Sequence, residues 1–278
     1  MSLSGVIKGV EESGLLLEGL LIKNETLIDI PISTGKYCDF INEIISKATN
    51  SVSSFVCVMN VHMFVEAYFS RTFKLVIENA DIVTPDGKPI TWALRLIKDI
   101  QQSRVAGMDL LPSLLEKLEQ NHLSTFFYGG TNELLNTTQK YLTNNFPTLD
   151  IAGFYSPPFR MLEVWEEREV IEKINASGAN IVFVVLGCPK QEKWMASMKG
   201  KIKAVMIGIG GALPVMIGMH KRAPGWMQEN GLEWFYRFYL EPKRLFKRYA
   251  VTNSVFVYLI CKEIVKKQLS YPDSVLSS

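Results

Sequence analysis

Asp86 stands between Pro85 and Gly87, after the short strand expected at 80–84. A carboxylate held at the end of a strand can take a proton from a hydroxyl nucleophile. Pro-Asp-Gly is also a common turn in which Asp bonds its own backbone, and these three residues alone favour the turn. Three further loops follow apolar runs: Gly129-Gly130, Gly187-Cys188-Pro189-Lys190-Gln191-Glu192 and Gly208-Ile209-Gly210-Gly211. Glycine lets a phosphate approach backbone N–H groups and helix N-termini. Together the loops point to a nucleotide or sugar-nucleotide ligand. Each alone is explained by turn geometry, and Gly208-x-Gly210 is not a dinucleotide fingerprint, because Leu213 occupies the place of the third glycine.

Several chemistries lack their signatures. The chain contains no G-x-x-x-x-G-K-[ST], no G-x-S-x-G, no D-x-D and no H-E-x-x-H. Its four cysteines (Cys38, Cys57, Cys188, Cys261) and three histidines (His62, His122, His220) are scattered, so neither a disulfide scaffold nor a zinc site is expected. No metal and no cofactor are expected. The free thiols fit a reducing, cytoplasmic compartment. Met1 to Glu12 lacks the basic start and apolar run of a signal peptide. The glycine-broken tract Ala204–Met219 and the short run Val255–Cys261 do not reach the ~20 apolar residues of a membrane span.

These loops need strands and helices to hold them. A small hairpin is expected from 16–22 and 26–30, turning at Lys23-Asn24-Glu25. Strands are expected at 54–59, 80–84, 124–128, 151–154, 180–186 and 204–209. Helices are expected at 35–48, from Val61, at 89–98, from Thr131 to about Asn145, at 161–176 and from Lys190. The run Asn180–Leu186 is β-branched and wholly apolar, as in a central parallel strand. The alternation predicts an α/β fold, a three-layer Rossmann-like sandwich with a mostly parallel sheet. Ligands of such sheets bind at the carboxyl ends of the strands.

The 278 residues carry a net charge of only +2, so no nucleic-acid partner is implied. The charge is unevenly placed. From His220 to Gln268 there are ten Lys and Arg against four Asp and Glu, interleaved with Trp226, Trp234, Phe235, Tyr236 and Phe238. Residues 1–220 are therefore read as the α/β core and 221–278 as a helical, basic and aromatic appendage. Such a face suits a diphosphate, an anionic membrane surface or a partner helix.

Six stretches agree in order and spacing with one family. They are Asn79–Gly87, Arg104–Asp109, Gly187–Trp194, Gly208–Ala212, Arg222–Pro224, and Gly231–Arg237 continuing through Glu241–Arg244. Over roughly residues 50 to 250 the chain resembles the WecG/TagA/CpsF bacterial glycosyltransferases. The resemblance implies an inverting, metal-independent enzyme that moves a sugar, typically N-acetylmannosamine, from a UDP-sugar donor. The implied acceptor is a polyprenyl-diphosphate-linked sugar at the cytoplasmic face of the cell membrane, in the synthesis of cell-surface polysaccharide or teichoic acid. It implies Asp86 as the general base, Gln191 in the active site, and Arg237 and Arg244 as holders of the diphosphate. Asn60, Thr84 and Arg104, with Gly129, Gly130, Gly208 and Gly210, complete the expected substrate-binding set. The chain departs from the family pattern in Val58-Met59-Asn60, where a threonine usually precedes, and in Leu213-Pro214, where an acidic residue is usual. Alternatives are a different donor such as UDP-glucose, or a non-catalytic, membrane-associated assembly partner. Self-association is left open.

Overall fold

The computed structural model describes residues 22–269. A short antiparallel hairpin, β1 (Lys23–Leu27) and β2 (Ile30–Thr34), leads into the main sheet. The expected turn Lys23-Asn24-Glu25 instead lies within β1. The chain reverses at Ile28-Asp29, both at positive φ (48° and 62°), which lets Leu27 and Ile30 pair and bury. The polar triplet resembles a turn in composition, while the actual turn contains a buried-type isoleucine. The expected strand 16–22 lies almost wholly outside the described residues.

Six strands form one fully parallel sheet, in the order β4-β3-β8-β7-β5-β6. They are β3 (Ser54–Met59), β4 (Ile82–Pro85), β5 (Ser124–Gly129), β6 (Asp150–Tyr155), β7 (Ile181–Val185) and β8 (Val205–Gly208). The helices between them are α1 (Tyr37–Thr49), α2 (Val61–Phe69), α3 (Arg71–Glu78), α4 (Lys88–Lys98), α5 (Gly107–Gln120), α6 (Asn132–Asn145), α7 (Val164–Ala176) and α8 (Lys190–Met198). After β8 come α9 (Ala212–Met216), α10 (Gly225–Glu229), α11 (Glu233–Leu240) and the 28-residue α12 (Pro242–Leu269). Helix α5 has no counterpart in the sequence reading, because Pro112 inside it hides the helical pattern.

The side-chain period of two makes two cores from one sheet. Phe55, Cys57, Met59, Val182, Val184 and Met206 face α2, α3, α8 and α12. Val56, Val58, Ile181, Phe183, Val205 and Ile207 face α1, α5 and α9. This is the expected three-layer sandwich. Its central strands are apolar on both faces, as burial on both sides requires. Helix α6 starts where Thr131 Oγ1 accepts a hydrogen bond from Leu134 N at 3.2 Å.

The C-terminal helix is packed into this architecture. Phe256, Leu259 and Ile260 are buried with the first core, and the Phe256 ring meets Phe64 of α2 edge-on at 5.3 Å. Basic and aromatic residues on its other faces stay exposed, among them Phe246 and Tyr258. Among the described residues, no helix is long and apolar enough to cross a membrane.

Candidate active site

One large cleft, about 1350 Å³, opens at the carboxyl ends of β3, β4, β7 and β8. Asn60, Asp86, Arg104, Gln191, Gly208, Gly210, Arg237 and Arg244 all line it. Residues as distant in the chain as Asn60 and Arg244 thus meet in one place, as the edge of a parallel sheet allows.

Asp86 follows β4 directly. Its backbone N–H donates to Met59 O at 2.8 Å, which locks the two strand ends together. Gly87 then takes φ +93° and caps α4, so the chain turns away and leaves the carboxylate in the cleft. Among the described residues no hydrogen bond holds that carboxylate. Burial pushes its pKa up to about 7; Glu233 raises it further, Arg237 and Arg104 oppose the rise, and Asp109 adds to it. A carboxyl group tuned to neutrality is suited to exchange a proton at physiological pH.

Arg104 joins the segment after α4 to α5, α10 and α11. Its Nη1 donates to Glu233 Oε2 at 3.0 Å, and its Nη2 to Asp109 Oδ2 at 2.8 Å and Gln228 Oε1 at 3.3 Å. Asp109 also pairs with Arg222. Arg237 is held far more loosely. Its Nη2 lies 3.8 Å from Met108 Sδ and 3.9 Å from Glu233 Oε1, with its side chain 41% exposed. Arg244 pairs with Glu241 one helical turn away and is also exposed. The two arginines therefore keep donors available to an anion.

Gln191 is fixed from every side. Its Oε1 accepts from Gly187 N at 3.1 Å and its Nε2 donates to Glu192 Oε1 at 2.8 Å. A Cβ at Gly208 would lie 2.7 Å from Nε2, and one at Gly210 3.2 Å from Oε1. These two glycines make room for the Gln191 amide, which gives them a purpose other than phosphate approach. Glu192 is fully buried, and its Oε2 has no hydrogen-bond partner among the described residues. Burial raises its pKa to about 7, against the lowering effect of the Gln191 and Cys188 hydrogen bonds. Asn60 caps α2, its Oδ1 accepting from Met63 N at 3.1 Å.

Three expected residues are not brought to the cleft. Thr84 is fully buried within β4, and its hydroxyl has no partner among the described residues. Gly129 and Gly130, at φ +107° and +75°, serve packing at the end of β5. A Cβ there would stand 2.6 Å from Val185 O and 2.6 Å from Leu134 Cδ2, respectively. Sequence reasoning missed Glu233 and His62, which also line the cleft. Glu233 sat unremarked inside the Gly231–Arg237 stretch. His62 Nδ1 is buried without a hydrogen-bond partner, and burial, then Arg248, lowers its pKa, with Glu66 opposing. Among the described residues no group of three or more His, Cys, Asp or Glu is placed to hold a metal ion.

Residues 25–270 match the model of the WecG/TagA/CpsF glycosyl transferase family. The chain belongs to that family. It is a WecG/TagA/CpsF glycosyltransferase, and its relatives are alike in name. A Bacillus spizizenii protein named N-acetylglucosaminyldiphosphoundecaprenol N-acetyl-beta-D-mannosaminyltransferase is 35% identical over 207 residues, spanning 74% of this chain and 79% of its own. A Bacillus subtilis protein of the same name is 29% identical over 253 residues, spanning 90% and 96%. One from Staphylococcus aureus is 27% identical over 218 residues, spanning 78% and 82%. The match to the WecG/TagA/CpsF model extends across α10, α11 and α12, so it includes the helices that carry Glu233, Arg237 and Arg244.

Proposed function

We propose that the protein transfers N-acetylmannosamine from a UDP-sugar to an N-acetylglucosamine carried on a polyprenyl diphosphate, with inversion at the anomeric carbon. The observation that carries this reading is Asp86, an unpaired carboxylate at the sheet's carboxyl edge whose pKa stands near 7. The relatives' shared name supplies the sugar and the acceptor class.

In this reading the acceptor hydroxyl attacks C1 of the donor from the face opposite UDP. A new C1–O bond forms as the bond from C1 to the β-phosphate oxygen breaks. The hydroxyl proton passes to Asp86, and the electron pair leaves on UDP. The charge growing on the leaving diphosphate is met by Arg237 and Arg244, two cleft arginines with donors to spare. Arg104 positions the appendage over the site, because its donors are already committed to Asp109, Gln228 and Glu233. Gln191, fixed by four neighbours, is pre-organised to bind a polar group of the sugar. The basic, partly apolar α12 brings the enzyme to the surface of the membrane that holds its acceptor.

Val58 and Pro214, where the chain departs from the family pattern, both line the cleft, so donor choice is the part of the proposal most exposed to test. The experiment is UDP release from a panel of UDP-sugars, with a short-chain prenyl-diphosphate-N-acetylglucosamine acceptor and EDTA present. Acceptor-dependent release with UDP-N-acetylmannosamine is expected. Release only with another donor, such as UDP-glucose, would correct the sugar. Release that is seen only when EDTA is left out would show that the transfer needs a metal.

A further inference from the structure

The cleft does not end at the catalytic loops. It continues as an apolar groove between α4 and α12. Trp92 and Leu96 line it from α4, four residues apart and so on one helical face. Val257, Ile260 and Ile264 line it from α12, again on one face. Trp92, Leu96 and Val257 are 47%, 53% and 59% exposed, large apolar side chains that nothing among the described residues covers fully. Beyond Leu96 and Ile264 the two helices are joined by an ion pair, Lys267 Nζ to Asp99 Oδ2 at 2.6 Å. The near end opens on Arg237, Arg244 and Arg248. At 1.5 Å rise per residue, the stretch from Arg248 to Ile264 runs about 24 Å.

A cationic mouth continuous with a long apolar trough suits an anionic amphiphile, and the acceptor proposed above is one, a hydrocarbon chain ending in a diphosphate. We propose that this groove seats the first isoprene units of the acceptor's polyprenyl chain, with the acceptor's diphosphate at Arg248, beside the two arginines that face the donor. The inference rests on the acceptor class proposed above. It assigns the chain-binding surface to α4 and α12 of the protein, so part of the prenyl chain leaves the bilayer during transfer. Burying it removes apolar surface of both partners from water, so affinity should climb with prenyl length until the groove is full.

The test compares binding of isopentenyl and farnesyl diphosphate to the full-length protein by calorimetry. For the wild type, farnesyl diphosphate should bind at least about tenfold tighter than isopentenyl diphosphate. In the double variant Leu96→Glu, Val257→Glu that ratio should fall below about threefold, and in the milder Leu96→Ala, Val257→Ala it should be intermediate. Both positions are largely exposed, so folding should survive. A wild-type ratio near one, or a ratio unchanged in both variants, would overturn the groove. So would a ratio that is unchanged while binding to phosphatidylcholine vesicles is lost, which would make the surface a bilayer contact. If the ratio behaves as expected but no donor releases UDP, the groove stands and the transferase reading fails.

Discussion

Arg104 Nη1 lies 3.0 Å from Glu233 Oε2, joining the segment after α4 to the first turn of α11 across 129 residues of chain. Both groups also act on Asp86, Glu233 raising its pKa and Arg104 lowering it. The contact that joins α11 to the segment after α4 is therefore also part of the electrostatics of the carboxylate.

The first prediction concerns pH. Asp86 must be ionised to accept a proton, and its pKa is about 7. Below that value kcat/KM should fall roughly tenfold per pH unit, levelling off above it. Glu233→Gln removes the largest negative neighbour, so the acid limb should move to lower pH. A profile of kcat/KM from pH 5 to 9 for both proteins checks this.

The same carboxylate should cost stability. Its folded pKa lies above the unfolded value of 3.8, so its contribution is full below pH 3.8 and is lost as pH rises through about 7. Relative to wild type, Asp86→Asn should therefore gain stability as pH rises from 4 to 7, by no more than about 4 kcal/mol, and hold that gain above 7. Denaturant unfolding at pH 5 and pH 8 measures the difference.

Gly208→Ala tests the seat of Gln191. The added methyl would stand 2.7 Å from Nε2 and 3.0 Å from Met195 Cε, so the amide must shift. A displacement of about 1 Å at a substrate-positioning group costs on the order of a hundredfold in turnover. Activity should fall by that order while UDP still binds, read by kinetics beside calorimetry.

Arg237→Ala should lower kcat/KM by about a hundredfold or more, the usual scale for removing a donor to developing charge. Its weak contacts at 3.8 and 3.9 Å imply little structural loss. The melting temperature should move by less than ~3 °C. Arg237→Lys should recover only part of the activity, since an ammonium replaces the charge but not the fork.

Much of the fold was legible because the central strands announce themselves. Asn180–Leu186 is apolar at every position, and β7 lies within it as a central strand of the parallel sheet. Asp86 was conspicuous for its place after a strand and before Gly87. The hairpin register was not legible, since Ile28 at φ 48° pays for a turn that its residue type disfavours. Helix α5 was hidden by Pro112. Glycines misled in a consistent way. Gly129 and Gly130 sit close to backbone and side chain, and Gly208 and Gly210 sit close to Gln191, so steric room explains each of them. Only packing in three dimensions separates that need from phosphate binding.

The central claim is that Asp86 takes the acceptor's proton. The most direct measurement is acceptor-dependent UDP release by Asp86→Asn, beside its affinity for UDP. The account predicts a loss of about a thousandfold or more in kcat, with UDP binding within about threefold of wild type. Turnover within about tenfold of wild type would contradict it and move the base to another group in the cleft.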